Sequence, residues 1–279
     1  MDVTTLGVLL GLGSAIAYGS GDFSGGLAAR RLPPYQVMVL SSLVNCVVLL
    51  AIVLFVEQKP ISLTSTLWAA AAGLVGTIGL TALYTGLARG HTAVIAPGSG
   101  VLSAAIPVVI TALFGGLPGA SQLAGFVIAG VGIWLASSVG HAGLDREGLW
   151  LTLVSGVGFG LYFLIIPLAR ETGVVFLPLL IGRLVMLTVT MMILVRSGQR
   201  VPHPRLAPTA PLSGILDMTG SVLYLLAQQY LRVDVAAVLA SLYPAATLLL
   251  SATLLRERLS RLQWVGAAAC ILAAALIAL

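Results

Sequence analysis

The sequence predicts an all-α, polytopic membrane protein of ten transmembrane helices, arranged as a five-plus-five inverted repeat. Three observations predict it. Hydrophobic residues make up 59% of the 279 and charged residues only 8%, with a mean hydropathy of +1.08, whereas about a quarter of a soluble domain is charged. Residues 14–19 read S-A-I-A-Y-G and residues 155–160, 141 positions later, read S-G-V-G-F-G, small for small and aromatic for aromatic. Charges, prolines and polar clusters cut each half into five apolar segments, and an odd number of spans per half forces the halves into opposite orientations.

Each segment is near the ~20 residues that cross hydrocarbon. The first, 4–27, ends before Arg30 and Arg31; with no basic stretch or clear cleavage site ahead of it, it reads as a retained helix and not as a signal. The second, 35–56, follows Pro33 and Pro34 and stops at Glu57 and Lys59. The third, 67–88, closes at Arg89, the fourth, 93–115, at Gly116 and Pro118, and the fifth, 122–139, at Gly140 and His141. The sixth, 148–169, lies between Glu147 and Arg170; the seventh, 174–195, closes at Arg196, before the proline- and arginine-rich linker 196–207. The eighth, 208–231, closes at Arg232, the ninth, 235–255, at Arg256, and the tenth, 262–279, follows Arg261. Short linkers make consecutive helices antiparallel neighbours, no soluble domain fits between them, and the two halves are residues 1–140 and 141–279.

The formal charge of +5 and pI near 9.6 reflect topology, not nucleic-acid binding, because the arginines sit in short loops and form no basic face. Loops after odd-numbered segments hold ten Lys and Arg; those after even-numbered segments hold three, Lys59, Arg170 and Arg232. The positive-inside rule puts the ten on the cytoplasmic side and both termini outside, in a bacterial-type inner membrane. Cys46 and Cys270 lie inside apolar segments, so neither a disulfide framework nor a metal site is expected. The repeat also extends past its opening motif: at the same offset Gly73 meets Gly214, Gly79 meets Gly220, and Gln122 and Gly125 meet Gln263 and Gly266. The 32 glycines suit helices that approach closely in lipid.

The chain resembles the drug/metabolite transporter superfamily, EamA type. The resemblance is most specific at residues 240–266, where A-S-L-Y-P, L-L-R-E-R-L-S and L-Q-W-V-G stand. The first half carries A-A-I-P ending at Pro107 and Q-L-A-G from Gln122, but departs from the pattern at Gly116, in the register of Glu257. The resemblance implies ten helices, termini on one side and a central cavity, usually in exporters of amino acids and other small metabolites.

An ionisable side chain in hydrocarbon costs about 2.5–3.5 kcal/mol on insertion scales, so such residues face a cavity or a partner. Three qualify. Asp22 shares a helical stripe with Ser14 and Tyr18, and is either a cavity carboxylate that binds an amine or a proton, or an anchor near Arg30. Asp217, Ser221, Tyr224 and Gln228 form the best polar stripe, in the eighth segment; Thr77, Thr81 and Tyr84 form its counterpart in the third, and the two stripes are expected to face each other across a cavity. The alternative is hydrogen bonding between helices. Arg183 suits a carboxylate, either that of Asp217 or that of a substrate. Asp22 and Asp217 are the candidate proton-coupling sites. Phe159, Tyr162, Phe163 and Tyr243 complete the aromatics that could stack on cargo or simply pack, and Pro97, Pro107, Pro167, Pro178 and Pro244 could bend helices. His91, His141 and His203 fall in loops.

No phosphate-cradling or metalloprotease motif is present, so no cofactor, metal or enzymatic activity is expected. The expectation is a secondary transporter, most simply an exporter, that moves small polar metabolites such as amino acids by alternating access. Its partners would be a small-molecule substrate, protons as a coupling ion, and the lipid bilayer, with a monomer sufficient. The alternatives are a passive exchanger or facilitator of amines, nucleobases or drug-like cations, or a non-transporting intramembrane enzyme or scaffold.

Overall fold

The computed structural model describes residues 3–89, 92–136, 146–254 and 260–278. His91, His141, Arg256 and Glu257, singled out above, lie outside the described residues. The chain folds into helices α1 (Val3–Ala29), α2 (Pro34–Ile52), α3 (Leu63–Ala88), α4 (Thr92–Gly115), α5 (Ala120–Ala136), α6 (Arg146–Ile165), α7 (Phe176–Arg196), α8 (Thr209–Ala227), α9 (Val233–Ala240), α10 (Tyr243–Leu254) and α11 (Arg261–Ala278). Among the described residues there is no strand, only a single bridge between Glu171 and Val174. Among the described residues, seven stretches are long and apolar enough to cross a membrane: Val3–Ala29, Pro34–Glu57, Leu63–Ala88, Arg146–Ala169, Phe176–Arg196, Thr209–Ala227 and Val233–Leu254. The stretches Gly98–Phe114, Ala120–Leu135 and Arg261–Ala273 are apolar but shorter. The protein is therefore an all-helical integral membrane protein.

Large apolar side chains point outward, Phe55 at 82% and Phe114 at 85% exposure among them, because lipid is as good a solvent for them as a core. The interior is built from small residues. A methyl group on Gly73 of α3 would run into the backbone of Gly182 in α7, and one on Gly214 of α8 into the backbone of Ser41 in α2. The two crossings are the same contact seen twice: both pairs are related by the 141-residue offset of the sequence repeat. A second pair behaves alike, Gly79 against Phe159 and Gly220 against Tyr18, and a third sets Gly160 against Ile106 and Gly19 against Thr247. The echo in the sequence is thus a set of close helix crossings, α1 on α8 and α10, α6 on α3 and α4.

Four segments depart from the continuous helices expected. The ninth is broken between α9 and α10 at Ser241 and Leu242, since Pro244 has no N–H to offer the Ala240 carbonyl. The eighth stops at Ala227, where bonds from Gln229 N–H to Leu226 and from Tyr230 N–H to Ala227 tighten the turn. The sixth ends in a 3₁₀ turn, Ile166–Ala169, that contains Pro167. The second continues past α2 as a π turn, Val53–Glu57, closed by Gln58 N–H on the Val53 carbonyl and followed by Gln58 at φ +42°.

Candidate functional site

A cavity opens between α1, α3, α6, α7 and α8, near the middle of the bundle. Glycines make room for it: Gly73 and Gly76 on α3 and Gly182 on α7 contribute backbone where a side chain would close the space. The cavity measures ≈ 60 Å³, room for roughly four waters.

The polar wall is built on α8. Asp217 pairs with Arg183, which is 8% exposed. One turn on, the Ser221 hydroxyl collects contacts from three other helices: Arg183 Nη2 donates to it at 3.0 Å, Tyr18 Oη at 3.0 Å and Tyr162 Oη at 3.1 Å. Ser221 Oγ also lies 3.0 Å from the Asp217 carbonyl. A serine oxygen has one proton and two lone pairs, so these four contacts cannot all be made at once. Phe163 closes the wall, edge-on to Tyr18 at 6.0 Å and to Tyr162 at 5.9 Å between ring centroids.

Asp22 completes the site from α1. It lines the same cavity and, among the described residues, has no hydrogen-bond or ion-pair partner. The lining ionisable groups are Asp22, Arg183 and Asp217. With the last two neutralising each other, the cavity holds one uncompensated carboxylate.

The structure gathers Tyr18, Asp22, Arg183 and Asp217 around this space, and places the other four residues singled out from the sequence elsewhere. The Thr77 and Thr81 hydroxyls turn back onto their own helix, to the carbonyls of Gly73 at 2.6 Å and Thr77 at 2.7 Å. Tyr84 is buried in an apolar cluster with Ala28, Met38 and Leu83, its hydroxyl against Gly25. The third-segment stripe therefore does not face the eighth across the cavity; α3 presents Ala72, Gly73, Gly76 and Leu80 there instead. Tyr224 is fully buried and donates to the Phe163 carbonyl at 2.5 Å, fastening α8 to α6. Gln228 is the cap residue after α8, so the polar stripe ends a turn earlier than its spacing implied. Asp22, read from the sequence as either a cavity carboxylate or an interface anchor, is among the residues that line the cavity.

Tyr162 and Phe163 had only the standing of any buried aromatic in the sequence. The signal that picks them out is the broken repeat: at the 141-residue offset, Tyr162 corresponds to Gly21, Phe163 to Asp22, Arg183 to Ser42, Asp217 to Gly76 and Ser221 to Leu80. Every polar group of the site faces a small or apolar residue in its symmetry mate.

Cys46 and Cys270 are free and buried. His203 is in a surface turn, its Nδ1 accepting from Arg205 N–H at 3.2 Å. Among the described residues no group of three His, Cys, Asp or Glu could hold a metal ion.

The model of the EamA-like transporter family matches residues 5–138 and, a second time, 146–279. Among solved structures 27 chains match. One, described as "Crystal structure of protein", has a TM-score of 0.69 at 16% identity, over 97% of this chain and 95% of its own, a likeness of fold. No curated protein matches the chain.

Proposed function

The chain belongs to the EamA-like transporter family, and from that premise we propose that it is a secondary transporter exporting small polar metabolites, amino acids among them, across a bacterial-type inner membrane. The ten apolar segments would all span, as two inverted five-helix halves, with both termini outside. Alternating access then follows from rocking the halves about the central site.

One observation carries the reading: Asp22 lies unpartnered in a cavity whose other charges cancel. An uncompensated carboxylate in a low-dielectric space is satisfied by a proton or by a cationic group of the cargo. Competition between the two for Asp22 is sufficient to couple export of an amine-bearing metabolite to proton entry. The Tyr18 and Tyr162 hydroxyls, which now meet on Ser221, would turn to an oxygen of the same cargo, and the aromatic wall of Phe163 packs its apolar part. The surplus negative charge also favours a second reading, facilitated exchange of amines that carry no carboxylate.

Thermal-shift screening of the purified protein against amino acids and simple amines tests the proposal, since a ligand that binds the folded state stabilises it. Asp22→Asn should weaken amine-bearing ligands by roughly 10–100-fold, the loss of one charge-assisted hydrogen bond, and abolish proton-driven uptake into liposomes. Undiminished concentrative transport by Asp22→Asn would refute the assignment. Ligands that all carry a carboxylate select the amino-acid reading over amine exchange.

A further inference from the structure

We infer that Glu57 and Glu171 are gating residues, two carboxylate latches that hold closed one mouth of the cavity; the inference rests on the alternating-access reading above. Both carboxylates lie outside the cavity, and each reaches across from one half of the chain to a helix start in the other.

Glu57 ends the π turn after α2. Its Oε2 accepts from the N–H groups of Val175 at 2.6 Å and Phe176 at 2.8 Å, and its Oε1 from that of Leu177 at 2.7 Å. These are orphan donors of the first turn of α7, which has no side-chain cap of its own. Glu171, in the connection between α6 and α7, reciprocates at the start of α3: its Oε1 accepts from Ser62 N–H and from Ser65 Oγ, both at 2.7 Å. The first half thus caps α7 and the second half caps α3.

The latches stand over the cavity. Leu179 lines it one turn below Val175, Ile166 lines it from the 3₁₀ turn just before Arg170, and Ala72 and Gly73 line it about two turns below Ser65. At the cavity wall itself, α3 and α7 cross in backbone contact at Gly73 and Gly182. That crossing is a fulcrum: parting the α3 and α7 starts about it widens the path to Ile166 and Leu179, and must break both latches together. The backbone is also shaped for the task. A π turn is rare and adds a residue to the helix end, and it is followed by Gln58 in the left-handed region, which non-glycine residues seldom occupy; this local unwinding brings Glu57 to α7.

The opposite end is sealed differently, by packed apolar groups that include Ala28, Met38, Leu83, Tyr84 and Ala207. At the latched end Lys59 and Arg170 line a recess beside Glu171. Water there can replace the broken bonds, so the latch can open reversibly.

The test labels Ile166→Cys with a membrane-impermeant maleimide in a chain carrying Cys46→Ala and Cys270→Ala. Glu57→Gln places an amide N–H₂ against α7 donors, and Glu171→Ala removes the acceptor; each should speed labelling about tenfold or more, the shift expected from losing charge-assisted hydrogen bonds. Glu171→Gln keeps its Oε1 acceptor and should change labelling much less. Equal rates in the parent and in monodisperse Glu57→Gln and Glu171→Ala overturn the gate. Where those variants fail to fold, hydrogen exchange of the parent decides: the amides of residues 175–177 and of Ser62 must open with one shared rate, and independent rates overturn it. Faster labelling without transport of any cargo leaves the gate standing and sinks the transporter reading instead.

Discussion

Arg183 and Asp217 neutralise each other, so their contribution differs in kind from that of Asp22. Their side chains are 10% and 26% exposed, and removing one partner strands the other in a poorly solvated space. Arg183→Gln alone, or Asp217→Asn alone, should therefore destabilise the protein by about 3 kcal/mol, read as a lowered melting temperature in detergent. The double variant Arg183→Gln, Asp217→Asn should recover much of that loss, since no unpaired charge remains, yet bind cargo poorly because the Ser221 hydroxyl loses its Arg183 contact. A double variant no more stable than the singles would mean that the pair is not the unit. Asp22→Asn, in contrast, should leave stability unchanged or improved, since it removes a charge that has no partner to lose.

At the scale of helices, the glycine crossings set what can be tolerated. Gly73→Ala and Gly214→Ala should each cost about 1–3 kcal/mol, because the added methyl meets backbone that no rotamer change can clear. Gly130→Ala in α5 is the control. Nothing lies within 4 Å of its Cβ position, so that substitution should be neutral or slightly stabilising. Thermal melts of the three variants decide it, and equal losses at Gly73 and Gly130 would remove the crossing from the account. This scale also explains what the sequence revealed and what it hid. The helices were legible because hydropathy and charged loops mark them, and the pairing of the halves because Gly73, Gly214, Gly79 and Gly220 recur in register. The cavity wall on α3 was not, since helical periodicity puts Thr77, Thr81 and Tyr84 on one stripe but cannot say that a threonine hydroxyl will be satisfied by the carbonyl one turn back. Pro244 marked the ninth segment for a bend, but spacing could not foresee the π turn that carries Glu57, because that depends on how a helix end meets its neighbours.

Across the whole molecule, near-symmetric packing supports an asymmetric chemistry: the crossings repeat at 141 residues, while Asp22, Arg183, Asp217 and Ser221 each occur once. Under the alternating-access proposal, such a design would let two halves exchange shapes around a site that stays the same, and the proposed latches would make that exchange sensitive to acid. Hydrogen bonds from Ser65 and from Ser62 hold the Glu171 carboxyl below the usual glutamate range, so the latched state binds its proton less readily than an open state with Glu171 in water. The sign follows: the stabilisation is fully present above the ordinary glutamate pKa of about 4.3 and is lost as pH falls through the lower latched value. Glu57, Lys59 and Arg170 surround the same mouth. Labelling of Ile166→Cys by an acid-tolerant, impermeant thiol reagent should accordingly accelerate as external pH is lowered below about 4.3, and Glu171→Gln, which keeps its acceptor but cannot titrate, should lose the part of that response that belongs to Glu171. A response of the same size in Glu171→Gln would remove Glu171 from the acid sensitivity.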